Sequence, residues 1–306
     1  MRIVSLLPSA TDIVCTLGLR YSLVGRTHEC DWPPGIEAVP AVTSDVLATH
    51  EMSSRQIDEA IDGSVHAGSS IYGLDIEALD RTKPDLIITQ ELCEVCAVSY
   101  KDVQRAARLM DVGTKIVSLE PTSLDEILDN ILLVGDLTGT QAKAQAVVDD
   151  ARARLAALRE ASGAKPRPRV VCVEWLDPIF AGGHWVPEQV DAAGGDDVLG
   201  PRNKPSYEIP WRDVIDAQPE IVVLMPCGMP IDRTMRELNA ITSRPGYEDL
   251  PAARDGRVFV VDGSSFFNRP GPRVVRGAEI LFGLFSTAGG VCEPPAVTEA
   301  CTVSTK

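Results

Sequence analysis

Two short stretches concentrate side chains able to ligate metals or carry redox chemistry. "RTHECDWPP" (26–34) holds His28 and Cys30, and "TQELCEVCAVSY" (89–100) holds Cys93 and Cys96. Thiolate and imidazole are ligands of zinc, iron–sulfur clusters and soft metals. Cys93 and Cys96 form a C-x-x-C pair, a spacing that lets two thiolates grip one ion; alone it is a weak motif. Cys227 follows the apolar run "IVVLMP". The expected metal set is therefore Cys30, Cys93, Cys96 and Cys227, suited to zinc or a [4Fe-4S] cluster. It would equally suit a cobalt centre with an axial thiolate. A C-x-x-C disulfide switch is a further reading, but the pair does not open a helix after a first strand in thioredoxin-like order. Cys15, in a helical pattern, and Cys172, in a strand pattern, read as core residues. Cys292 and Cys301 fall in the tail.

These residues need strand ends to position them, and the sequence supplies alternating strand and helix patterns. "RIVSLL", "SLVGRT", "DLIIT" and "KIVSLEP" read as strands. Ser9 is the expected N-cap of the helix "ATDIVCTLG"; further helices are expected over "IEALDRTKP" and "YKDVQRAARLMDVG". Such alternation predicts parallel βαβ units. Residues 123–163 carry helical periodicity throughout, with Leu124, Ile127, Leu128, Ile131, Leu132 and Val134 at i, i+3, i+4 spacing. One helix of about 35–40 residues would extend ~55 Å. After "AKPRPR" the alternation resumes with "VVCVEW", "IVVLMP" and "RVFVVDG" as strands, and "PGPRVVRGAEILFGLF" as a last helix. The predicted fold is α/β: two Rossmann-like lobes with mostly parallel sheets joined by a long connecting helix. The expected division is an N-terminal lobe (1–120), a connecting helical segment (121–165), a C-terminal lobe (166–286) and a loose tail (287–306).

Composition narrows the partners. The 306-residue chain carries a formal net charge of −15 and 5% aromatic residues. Such acidity repels phosphate backbones and anionic lipid, which argues against nucleic acid and membrane surfaces. No stretch approaches 18 apolar residues, so no membrane insertion is expected. The N-terminus reads as a first strand with no secretion signal ahead of it. The chain as given is expected to be cytoplasmic, or periplasmic or extracellular if the true start lies upstream. No G-x-S-x-G, H-E-x-x-H, P-loop or G-x-G-x-x-G motif is present, so the sequence favours a binder over an enzyme.

The order of parts resembles the helical-backbone (class III) solute-binding proteins of ABC importers, most of all their cobalamin-binding branch. The residues carrying the likeness are "RIVSLLPSATDIVCTLG", "LVGRTHECDWPP", "LDIEALDRTKPDLII", "AGGHWVPEQVDAAGGDDV", "IPWRDVIDAQPEIVVL" and "FFNRPGPRVVRGAEILFGLF", spanning residues 2 to about 286. The resemblance implies a ligand held in a cleft between lobes by residues past strand ends, in keeping with open α/β sheets generally. The ligand contacts so implied are Ser9, His28, Glu29, Cys30, Trp32, Glu91, Glu94, His184, Trp185, Cys227, Phe267 and Arg269. "HEC" fills the turn where the family offers an aromatic; Trp32 and Trp185 would substitute. His184, between Gly183 and Trp185, is a better contact than His50 or His66. The resemblance also implies docking on a transporter permease through one acidic residue per lobe, at places filled here by Glu77 and Asp213. Solvated helix carboxylates are the alternative account of both. Two readings stand: a binder of cobalamin, another corrinoid or a related metal chelate, and a cytoplasmic metalloprotein using the cleft cysteines for zinc or an iron–sulfur cluster.

Overall fold

The apolar run at the N-terminus forms β1 (Ile3–Ser5), in which all three residues are buried. The computed structural model describes residues 1–66, 72–90, 113–163, 166–286 and 300–303, with the side chains of 63–66 excepted. Residues 100–112 of the expected helix over 100–113 lie outside the described residues, as do Glu91, Cys93, Glu94 and Cys96. The chain divides into two units. The first comprises 1–52, 56–121 and 126–148; the second comprises 53–55, 122–125 and 149–306.

In the first unit, α1 (Pro8–Thr16) follows β1. Its N-cap is Leu7, with Pro8 at the first helical position, so Ser9 is not the cap expected from sequence. Proline fits there because its missing N–H would lack an intrahelical partner anyway. Next come β2 (Leu23–Arg26), β3 (Thr43–Asp45), α2 (Ser54–His66), β4 (Tyr72–Leu74), α3 (Ile76–Thr82), β5 (Leu86–Thr89) and β6 (Lys115–Ser118). The main sheet has the order β2-β1-β5-β6, and every pairing in it is parallel. The antiparallel pair β3–β4 stands apart from it. Val4, Leu6, Val42, Leu79 and Ile87 form one core, with Val24, Tyr72, Leu74, Ala78 and Ile116 packed against it.

The expected connecting helix is present as two consecutive helices, α4 (Leu124–Thr138) and α5 (Gln141–Ser162). The break falls at Gly139, whose φ of 72° is a left-handed helix stop that glycine adopts without a Cβ clash. Leu124, Ile127, Leu128, Ile131 and Val134 of α4 are all buried, as their spacing predicts. The 22-residue α5 carries the chain from the first unit into the second.

The second unit contains β7 (Arg169–Trp175), β8 (Phe180–Ala181), α6 (Val186–Ala192), β9 (Asp196–Asp197), β10 (Tyr207–Glu208), α7 (Trp211–Ala217) and β11 (Ile221–Leu224). They are followed by α8 (Ile231–Arg236), α9 (Asn239–Thr242), α10 (Pro251–Arg254), β12 (Val258–Val261), α11 (Gly263–Phe266), α12 (Val274–Ser286) and β13 (Ala300–Thr302). Strands β7, β11 and β12 are parallel; β8, β10 and β13 add antiparallel edges. Residues 300–302, expected in a loose tail, thus pair with β12. The two units reuse one local device. Helices α3 and α7 both end at a left-handed residue, Lys83 or Gln218, each with φ of 44°. Pro84 and Pro219 follow, and each prevents the helix from resuming before β5 or β11 begins.

Candidate ligand-binding site

In the first unit the candidate contacts follow strands β1 and β2. Past β2, Thr27 extends the pairing by donating its N–H to Ser5 O at 2.8 Å. Thr43, on β3, donates its hydroxyl to Thr27 Oγ1 at 2.9 Å. That hydroxyl has one proton, so it accepts from the His28 backbone N–H (3.0 Å) and from His28 Nδ1 (2.7 Å). The network therefore assigns the proton to Nδ1. The imidazole packs 5.2 Å from the Tyr72 ring. Its Nε2 is covered and makes no hydrogen bond. Glu29 Oε1 lies 3.3 Å from it, at ion-pair distance but outside hydrogen-bond geometry.

Cys30 is 5% exposed, with Sγ 3.0 Å from Thr11 Oγ1. Ser5 donates to Leu7 O at 2.8 Å, and Thr11 donates to Ser5 Oγ at 2.9 Å. The Thr11 proton being used, the Cys30 S–H is the donor to Thr11. That direction suits a thiol; a metal-bound thiolate would need Thr11 to abandon Ser5 and turn. Ser9 is buried in the first turn of α1, and Trp32 is half-buried.

In the second unit Gly183 approaches the 204–206 backbone so closely that a Cβ there would lie 2.3 Å from Ser206 N. Its N–H donates to Glu174 Oε2 at 3.0 Å, and the Ser206 side chain bonds the same carboxylate. Burial nevertheless holds the Glu174 pKa above the ordinary carboxylate value. His184 adopts a φ of 51°, donates its N–H to Lys204 O at 2.6 Å and accepts from Asn203 N at 2.9 Å. Burial lowers its imidazole pKa. Asp197 Oδ1 accepts from Gly200 N (2.7 Å) and Leu199 N (3.3 Å), while its covered Oδ2 has no partner. Burial pushes this carboxyl up to about 7.

Two expected contacts belong to the core instead. Trp185 is 7% exposed, with its indole N–H donating to Phe267 O at 2.7 Å, and Phe267 is fully buried. A ring enclosed on this scale supports the turn and does not offer a free stacking face. Cys227 follows β11, half-buried, with its N–H donating to Glu174 O at 3.0 Å; Arg269 is also half-buried. Glu77 and Asp213 are exposed in the first turns of α3 and α7, and Glu77 lies 3.9 Å from Arg81.

Cys30 sits in the first unit, Cys227 in the second, and Cys93 and Cys96 lie outside the described residues. Among the described residues, no group of three or more His, Cys, Asp or Glu side chains is placed to hold a metal ion. Cys172 is in the core, where burial drives its thiol pKa well up; burial raises that of Cys15 to about 11. Sequence reasoning passed over Thr43, Thr11, Glu174 and Asp197. A charge inside "VVCVEW" was a signal for Glu174, and the D-x-x-G spacing of Asp197 and Gly200 was one for an Asx-type turn.

Two α/β units on mostly parallel sheets, each with candidate contacts just past its strand ends, define a two-unit binding protein. The chain matches the periplasmic binding protein family over residues 3–264 and belongs to it. It is 25% identical over 280 residues to the vitamin B12-binding protein of Vibrio cholerae, covering 91% of this chain and 86% of the relative. Among solved structures, it is similar to the periplasmic vitamin B12-binding protein of Vibrio cholerae, with TM-score 0.68, 22% identity, and 94% and 97% coverage of the two chains. A periplasmic heme-binding protein from Pseudomonas aeruginosa gives TM-score 0.72 at 22% identity, covering 100% of this chain and 98% of that one. Among the described residues no helix is long and apolar enough to cross a membrane.

Proposed function

We propose that this chain is the ligand-binding component of an ABC importer, that it acts outside the cytoplasmic membrane, and that its ligand is a corrinoid or related metal chelate. The observation that carries the reading is the match to a vitamin B12-binding relative over 91% of this chain. The strand-end positions support it, because open α/β sheets bind ligands past the carboxyl ends of their strands. His28, Glu29, Cys30 and Trp32 are the proposed contacts of the first unit, with Ser9 beneath them and Glu91 and Glu94 added from the sequence. His184, Cys227 and Arg269 are those of the second unit, with Trp185 and Phe267 as supports. The permease of an ABC importer is the proposed partner.

The test is calorimetric titration of the purified protein with cyanocobalamin and, separately, with haemin. The reading expects one equivalent of cyanocobalamin bound with a Kd of about 1 μM or tighter, near −8 kcal/mol. Tight haemin binding without cobalamin binding would move the ligand from corrin to porphyrin. Binding of neither would sink the metal-chelate reading.

A further inference from the structure

We infer that Glu188 is a positioning residue for the proposed His184 contact, and that it acts through Asn203. This rests on the proposed function, since it concerns how a ligand contact of the second unit is held. One loop engages the His184 main chain on both sides. Its N–H donates to Lys204 O at 2.6 Å, and its carbonyl oxygen accepts from Asn203 N at 2.9 Å. The place of His184 is therefore set by residues 203 and 204. Two carboxylates fix that loop. At its start Asp197 Oδ1 accepts from Gly200 N at 2.7 Å. Nearer its end Glu188 Oε1 accepts from Asn203 Nδ2 at 3.2 Å. An ionised carboxylate only accepts, so the Asn203 atom facing it is the amide nitrogen. Asn203 thus ties residues 184 and 188 together, one through its main chain and the other through its side chain. Its φ of 58° is left-handed, a conformation that asparagine tolerates better than most side chains. The other oxygen of Glu188 makes it a firm post. Oε2 accepts from Leu124 N at 2.7 Å, at the start of α4. Residues 122–125 belong to the second unit, so both bonds lie within it. Leu124 is 4% exposed and opens a 15-residue helix, so it does not follow the carboxylate. Glu188 cannot turn away from Asn203 without giving up that amide. The loop is then ordered before a ligand arrives, and a preordered contact binds more tightly because less freedom is lost on association.

The experiment is calorimetric titration with cyanocobalamin, with a urea midpoint measured for each variant. Asn203→Gly keeps the left-handed backbone and deletes only the side chain. It is expected to weaken binding about threefold to tenfold, the worth of one hydrogen bond, with little change in urea midpoint. Asn203→Asp sets a second carboxylate against Glu188 and is expected to weaken binding about tenfold. Adding Glu188→Gln to Asn203→Asp puts an amide opposite a carboxylate again, with the amide oxygen still able to accept from Leu124 N. The double variant is expected to recover to within about threefold of wild type. Wild-type affinity in either Asn203→Gly or Asn203→Asp overturns the positioning and leaves the proposed function standing. So does a lowered urea midpoint with unchanged affinity, the mark of a merely structural pair. A loss in Asn203→Asp that the double variant does not recover overturns Glu188 as the residue acting through Asn203. If the wild-type protein binds haemin alone, the same series is read with haemin. Binding of neither overturns both the positioning and the proposed function.

Discussion

A covered carboxylate needs hydrogen-bond donors for both of its oxygens, and Asp197 finds them for one. Its Oδ2 and the carbonyl oxygen of Gly182 crowd the same point beside Gly200, where a Cβ would lie 2.4 Å from the first and 2.8 Å from the second. The charged groups around it are Asp196, which raises its pKa, and Arg202, which lowers it; Cys172 lies within its field. Burial outweighs these and holds the carboxyl at about 7, against 3.8 when unfolded. The folded state therefore keeps a proton that the unfolded state releases. This contribution to stability is present in full below about pH 4, declines as pH rises through 7, and is flat above that. The cost at pH 8 is at most about 4 kcal/mol, since each pKa unit is worth about 1.4 kcal/mol. Asp197→Asn supplies an N–H where the donor is missing. It is expected to match wild type near pH 4 and to exceed it in urea midpoint at pH 8. Tryptophan fluorescence is a suitable probe, because Trp175, Trp185 and Trp211 all belong to the second unit. Parallel pH profiles for the two proteins would refute the assignment. At this scale the sequence was legible only in part. It placed His28 and Cys30 past a strand because neighbours in the chain decide that, but the partners Thr43 and Thr11 come from other elements and leave no mark on "THEC".

At the scale of elements, local pattern and close packing make different demands on glycine. Gly135 lies in α4 where a Cβ would meet Ala144 Cβ of α5 at 2.5 Å. Gly283 lies in α12 with nothing within 4 Å. Intrinsic propensity favours alanine over glycine by about 1 kcal/mol in either helix. Gly283→Ala is therefore expected to raise stability by about 0.5–1 kcal/mol. Gly135→Ala is expected to lower it by about 1–3 kcal/mol, because α4 and α5 must move apart. Urea denaturation of the two variants checks the contrast, and a Gly135→Ala protein as stable as wild type would refute the tight crossing. The same two helices show how the sequence was over-read. Gly139 interrupts the pattern at a single position, and helical periodicity on both sides of it suggested one long helix. Helix α2 and strands β3 and β4 left weaker traces. The described part of α2 buries few apolar residues, Ile57 among them, and three-residue strands are too short to show alternation. Strand β13 was missed because its pairing partner, β12, lies about 40 residues earlier in the chain.

At the scale of the whole molecule, the parts that were legible are the ones the chain writes twice. Helix, left-handed stop, proline and parallel strand occur at 76–89 and again at 211–224. Each helix presents an exposed acid in its first turn, Glu77 in one unit and Asp213 in the other. As first-turn acids each favours its own helix only modestly, by about 0.3–1 kcal/mol. The Glu77–Arg81 pair at 3.9 Å, with the Glu77 side chain 92% exposed, is an ordinary surface pair of little energetic consequence. Two exposed acids at repeated positions can therefore serve a partner without cost to the fold, and a permease carrying basic residues is the proposed one. Such contacts act on association and its salt dependence more than on internal structure. Glu77→Lys and Asp213→Lys are expected to leave cobalamin affinity within about twofold of wild type. Each is expected to lower uptake by vesicles carrying the cognate importer by about tenfold, equivalent to 1.4 kcal/mol of lost docking energy. Raising salt should slow wild-type uptake in the same direction and affect the variants less. Unchanged uptake by the double variant would show that these carboxylates are only solvated helix ends, and docking would have to be sought on another face of each unit.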